Sequence, residues 1–310
     1  MPKSFITYEQ QIQLLKSKNL TIDDENEAKR QLMKVGYFSL IGGYKHPFKN
    51  PTTKKYRDNV SFTDIASLYR FDVELRSLFL KWLLTIERSI KSRIAYVFCD
   101  LHGDSQVEYL NPNNYINTPK SNRELMKLIN MTLLPLATRP TDYPYINHHQ
   151  AVYQNVPLWV LVNAISFGNM SHMYNLLPQT LQSKICKAYP LNIKQLSQIL
   201  KVLTKFRNAC AHGERLFSYA TKDDIPDLPL HNKLAIPQKG QQYIYGKHDL
   251  FSVVIAFRYL LPDEFAEFKK NLSHLIDCFT KECKSLQKSD LLACMGFPVD
   301  WERITRYYKL

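Results

Sequence analysis

No two of the six cysteines form a CxxC pair; Cys99, Cys186, Cys210, Cys278, Cys283 and Cys294 are scattered along the 310 residues. Such spacing suggests neither a zinc site nor a disulfide framework. The nine histidines show no HExxH-like pattern, and the adjacent His148 and His149 fall in a Pro- and Tyr-rich stretch that reads as a surface loop. No run approaches the roughly 18 uninterrupted apolar residues that a membrane span needs. No secretory signal is visible after Met1-Pro2-Lys3-Ser4-Phe5. Internal repeats and low-complexity tracts are missing, and strand signals are scarce. These absences predict a reduced, cytoplasmic, all-α protein with no metal, no cofactor and no membrane association.

What is present is an ordinary globular composition, 45% hydrophobic and 22% charged, on a chain long enough to bury a substantial core. The net charge of +13 and the pI of about 9.3 favour a polyanionic partner, nucleic acid first and anionic membrane second. A generally basic, soluble surface is the plainer explanation. The basic residues are dispersed rather than gathered in a tail, which favours a folded basic surface over a disordered arm.

Helical periodicity dominates the pattern. Short helices are expected over about 8–18 and 24–35, the second capped by Thr21 or Asp23, with an aromatic-rich connection from Val35 to Phe48. From Ser61 the residues Leu75, Leu78, Phe79, Trp82, Leu83, Ile86, Ile90, Ile94 and Val97 recur at three- and four-residue steps, one apolar stripe over more than six turns. A helix follows over about 121–137, then a loop from Arg139 to Tyr145 with two prolines. One continuous helix is expected from Pro157 to Leu177, a short one over 179–188, and a strongly periodic one from Asn192. Beyond His212 the chain turns irregular, with a small strand possible at 242–246. Helices over 249–261 and 263–287 and a short helical tail complete it. This divides the chain into an N-terminal segment (1–60), a helical core (61–220) and an irregular loop with C-terminal helices (221–310).

The periodic helix from Asn192 closes on Lys205-Phe206-Arg207-Asn208-Ala209-Cys210-Ala211-His212. As a bare spacing, arginine and histidine separated by four to six residues mean little. With 13 arginines and nine histidines, about one such match is expected by chance. Position adds information. Arg207 follows Leu203 by four residues and Leu200 by seven, which puts a guanidinium on the apolar face, where it calls for a partner. A structural ion pair explains this equally well. Glu87, on the edge of the long stripe, is the candidate carboxylate, although a solvated Glu87–Lys91 helix pair accounts for it too. Asn208 and His212 share a face with Lys201 and Lys205, so the amide could bond the imidazole and choose its tautomer. Gly213 marks the helix end, and His212 could serve there simply as a C-terminal cap. Residues five apart are about 140° apart around a helix, so Arg207 and His212 do not aim at one point from one straight helix.

Arginine, amide and imidazole are the groups that metal-independent RNA cleavage uses. The segment Arg207-Asn208-Ala209-Cys210-Ala211-His212-Gly213-Glu214-Arg215-Leu216-Phe217 resembles the signature of HEPN-domain ribonucleases in the form carried by the bacterial abortive-infection, Abi-like family. Three other ordered blocks are similar to that family: Val35 to Tyr44 with Pro47-Phe48, Phe62 to Leu75 with Leu68-Tyr69-Arg70-Phe71-Asp72 inside it, and Val156 to Leu161 with Ser166-Phe167-Gly168. The blocks cover most of positions 30–220.

The resemblance implies a HEPN-type helical bundle with N- and C-terminal helical extensions. It also implies a metal-independent endoribonuclease of antiphage defence, or a toxin held by an antitoxin, with Arg207 and His212 catalytic and Asn208 supporting them. RNA is the implied substrate, a small structured regulatory or antitoxin RNA an implied partner, and a homodimer the arrangement that completes a site from two copies. Lys201, Lys205, Arg215 and Arg93 are candidate phosphate contacts, each of which could equally be an ordinary solvated charge. A non-catalytic RNA-binding module and a protein-interaction scaffold are the competing readings.

Overall fold

The computed structural model of the chain describes residues 4–306, so Met1 to Lys3, the start of the segment that reads as carrying no secretory signal, and the last four residues of the C-terminal tail lie outside it. The described residues are mostly helical, with one two-residue antiparallel ladder, as an all-α protein requires. Helix α1 (Tyr8–Lys16) and α2 (Glu25–Val35) form a short pair. Asp24, not Thr21 or Asp23, caps α2, accepting the Glu27 N–H at 2.9 Å. A π-helical turn (Phe38–Gly42) and a 3-10 turn (His46–Phe48) lead to the axis of the molecule.

That axis is α3 (Phe62–His102), 41 residues and about 60 Å long. Ser61 and Asp64 close a capping box at its start, and Gly103, at φ +87°, ends it in a conformation other residues resist. The stripe read from the sequence is buried at Leu75, Phe79, Trp82, Leu83, Ile86, Ile90 and Ile94, while Leu78 and Val97 are partly covered. After α4 (Gln106–Leu110), α5 (Pro119–Leu128) runs through a π turn (Ile129–Leu133) into α6 (Leu134–Thr138), covering the expected 121–137 and one or two residues at either end.

Two expectations require correction here. His148 and His149 sit on a helix, α7 (Pro144–Tyr153), where Pro144 occupies the first turn that tolerates its missing N–H. The expected 157–177 helix is broken into α8 (Leu158–Leu161) and α9 (Phe167–Leu176). Ser166 adopts an extended backbone, and its hydroxyl accepts the Asn169 N–H at 3.2 Å, so a fresh N-cap interrupts the periodic pattern.

α10 (Gln179–Cys186) precedes α11 (Ile193–Ala211), which starts at an Asn192–Gln195 capping box. α11 packs along α3 and α9 through Leu196, Ile199, Leu200, Leu203, Phe206 and Cys210. A short α12 (Pro229–Lys233) and the ladder of β1 (Gln238–Lys239) with β2 (Gln242–Tyr243) follow. α13 (Leu250–Leu260) is buried along nearly its whole length, and α14 (Phe265–Glu282) lies along α3. Phe268 meets Phe79 edge-on at 5.3 Å and Phe257 at 4.9 Å. α15 (Lys288–Met295) and a 3-10 turn (Trp301–Arg306) close the described chain, and one hydrophobic cluster runs from Ile12 to Ile304.

Candidate functional site

Two carboxylates on α3 organise the region around the end of α11. Glu87 is 5% exposed. Its Oε2 accepts from Nε of Arg207 at 3.0 Å and its Oε1 pairs with Nζ of Lys91 at 2.8 Å. The two explanations of Glu87 are thus both realised: it partners Arg207 and Lys91 together, in a buried rather than solvated setting. Arg207 keeps 27% of its side chain exposed, so one edge of the guanidinium faces inward and the other reaches the surface. Its Nη1 lies 3.5 Å from Oδ1 of Asn208.

The amide of Asn208 therefore turns toward Arg207. What His212 receives from Asn208 is the backbone carbonyl, which accepts the His212 N–H at 2.9 Å. The expected amide–imidazole bond is not formed. His212 is the C-cap residue of α11, and its ring is exposed to solvent. Gly213 at φ +71° then turns the chain sharply. Cys210, two residues before His212, is buried, and burial pushes its thiol up to about 12, so it stays protonated at neutral pH.

The second carboxylate, Asp72, is fully buried and was not singled out from the sequence as a site residue. It accepts from the Tyr44 hydroxyl at 2.7 Å, from Nη1 of Arg76 at 2.5 Å, and from the Phe217 and Leu216 N–H groups at 2.6 and 3.1 Å. Burial raises its pKa, while the Tyr44 hydroxyl, the Arg76 guanidinium and the two amides oppose that rise. Arg76 also donates to the Glu214 carbonyl at 3.2 Å, and the Tyr44 ring stacks on Phe217 at 5.7 Å. A signal existed: Asp72 follows Leu68 by four residues and precedes Leu75 by three, a carboxylate set inside the apolar stripe.

The candidate phosphate-binding residues are dispersed. Lys201, at 2.6 Å, and Lys205 both pair with Asp223 of the loop after α11. Hydrogen bonds from Lys201 and then Lys205 hold the Asp223 carboxyl below the usual range. Arg215 donates from Nη1 to the Gly43 carbonyl at 2.6 Å. Arg93 is exposed over the ring of Tyr189, 5.4 Å from its centroid. Arg207, Asn208 and Glu87 are gathered at one place, with His212 a turn further on.

Three segments thus meet at Asp72: the π turn and Tyr44, the first third of α3, and the loop that follows His212. These are three of the four blocks that resemble the abortive-infection family. A family model described as Abi-like protein matches residues 30–218. The chain belongs to the Abi-like protein family. No curated protein and no solved structure matches the chain. The matched span of this Abi-like chain begins in α2 and ends one residue beyond Phe217, so it contains both carboxylate networks whole. Among the described residues no helix is long and apolar enough to cross a membrane.

Proposed function

We propose that this Abi-like protein is a metal-independent HEPN-type endoribonuclease acting in abortive infection or as a toxin. The carrying observation is the buried Glu87 that fixes a partly exposed Arg207 beside Asn208, one turn from the solvent-facing His212. In the reaction, the ribose 2′-OH attacks the adjacent phosphorus while an imidazole removes its proton. The bond from phosphorus to the 5′-oxygen breaks, and that oxygen takes a proton from a second acid. The products are a 2′,3′-cyclic phosphate and a 5′-hydroxyl. Arg207 supplies charge-assisted donors to the phosphorane oxygens, and Glu87 keeps its fork oriented.

Arg207 points toward α3 whereas His212 lies about 140° further round α11. A second copy, presenting its own α11 end, would bring an arginine of one chain to a histidine of the other. We therefore propose a homodimer with a composite site, which also supplies the two imidazoles that the proton transfers need.

Incubating the purified full chain with total RNA in EDTA, beside His212→Ala, tests this reading. The substitution should cut cleavage by about 10²–10⁴-fold while the melting temperature stays put, because His212 is exposed. Cleavage that survives in His212→Ala, or that EDTA abolishes, would sink it. RNA retained without any cleavage would leave a binding module instead. A strictly monomeric, fully active nuclease in sedimentation would contradict the composite site.

A further inference from the structure

We propose that the cleft of about 820 Å³ at the C-terminal end of α11 is a nucleotide subsite, taking one unit of the RNA beside the scissile phosphate. The identity of the ligand rests on the ribonuclease reading; the cleft itself rests on its walls. Its volume falls within the roughly 300–1,000 Å³ typical of small-molecule sites. Three separate segments build it: the end of α2 with the π turn, α3 at Tyr69, and the loop from Gly213 to Ala220. Gly213 directly follows His212, so the wall begins where the candidate base ends.

The wall chemistry suits a base joined to a phosphate. Phe38 stands on the π turn with 88% of its surface in water, a large apolar ring left uncovered at the rim. Tyr69 is held edge-on against Tyr44 at 5.4 Å, and Tyr219 edge-on against Phe206 at 5.1 Å, so both rings are fixed before any ligand arrives. Fixed aromatic faces are what unstacked bases use in single-stranded RNA recognition.

For the phosphate, Arg215 commits one of its five N–H donors to Gly43 and retains the rest. Lys34, also in the wall, is exposed and has no partner among the described residues. Glu214 contributes a carboxylate against these cations, which disfavours a bare polyanion and leaves room for a base edge. Aliphatic lining is sparse, so a lipid chain or an apolar peptide fits poorly.

The backbone is open on both sides. A methyl group added at Gly43 or at Gly213 would meet nothing within 4 Å. Gly43 has φ −73° and ψ −39°, right-handed helical values that leucine adopts without strain. Gly43→Leu therefore adds bulk at the cleft wall without a backbone penalty.

The test titrates the full chain with a fluorescent 2′-O-methyl oligoribonucleotide, which binds but has no free 2′-OH to attack, and then competes it with a nucleoside 3′-monophosphate. Gly43→Leu and Lys34→Glu should each weaken binding at least about tenfold, and the mononucleotide should displace the probe from the wild type. Lys34→Glu binding as tightly as the wild type would overturn the subsite; it alters an exposed side chain, so it decides the matter even if Gly43→Leu fails to fold. A wild type that binds through the cleft and never cleaves would end the ribonuclease reading and keep the subsite. A wild type that cleaves, with both variants binding normally, would do the reverse.

Discussion

Asp72 and Glu87 lie fifteen residues apart on the same helix, and both are carboxylates removed from water. They are satisfied in different ways. Asp72 accepts two backbone N–H groups, a phenol and a guanidinium, and every one of those donors is buried or nearly so. Glu87 accepts two side-chain cations, one of which, Arg207, still reaches the surface. The first arrangement pins a loop to a helix; the second holds a charge in position and leaves part of it free. Burial of the carboxylate is common to both arrangements; the exposure of its partner is what separates them.

That contrast can be broken most directly at Asp72. Asp72→Ala takes the acceptor from the Tyr44 hydroxyl and two amides and leaves Arg76 without its carboxylate, and should cost about 3–5 kcal/mol in denaturant unfolding. A loss below about 1 kcal/mol would mean the loop is held by its apolar contacts instead. Glu87→Gln should behave differently, losing about 1–3 kcal/mol of stability through the weakened bonds to Arg207 and Lys91. RNA cleavage should fall further than that stability loss explains, measured on folded protein at a temperature where both forms are native. Equal and small effects at the two positions would erase the distinction drawn between them.

A smaller effect is expected at Asp223, where both partners are partly solvated. Asp223→Ala should change stability by no more than about 1 kcal/mol. Freed from it, Lys201 and Lys205 should raise RNA affinity severalfold and steepen its salt dependence in a filter-binding assay. Because the folded carboxyl lies below its ordinary value of 3.8, its ion pairs contribute fully above that pH and are lost as pH falls through the folded value. Acid unfolding curves of wild type and Asp223→Ala should therefore converge at the lowest pH and differ at neutrality.

Much of this fold was legible beforehand for a simple reason. Long helices announce themselves through apolar residues every three or four positions, and α3 and α11 do so over many turns. The failures were local. Ser166 looked like one more position in a helix until its hydroxyl was seen to cap α9, and the prolines around 140–144 masked the helix that carries His148 and His149. At the site, periodicity put Arg207 on the apolar face and led to Glu87. Periodicity also grouped Asn208 with His212, yet the amide turned to the neighbouring guanidinium, a choice between two short-range partners that spacing does not make.

The sequence by itself determined the helical class, the family and the placing of an arginine on a buried face, because each is written in local pattern, as helical periodicity or as short ordered blocks. Only the tertiary structure decided that Asp72 would gather three distant segments, that Asp223 would cover Lys201 and Lys205, and that a cleft would open beside His212. Those outcomes depend on which chain segment arrives at a given donor, over separations of 18 to 145 residues. Local pattern carries no record of such encounters.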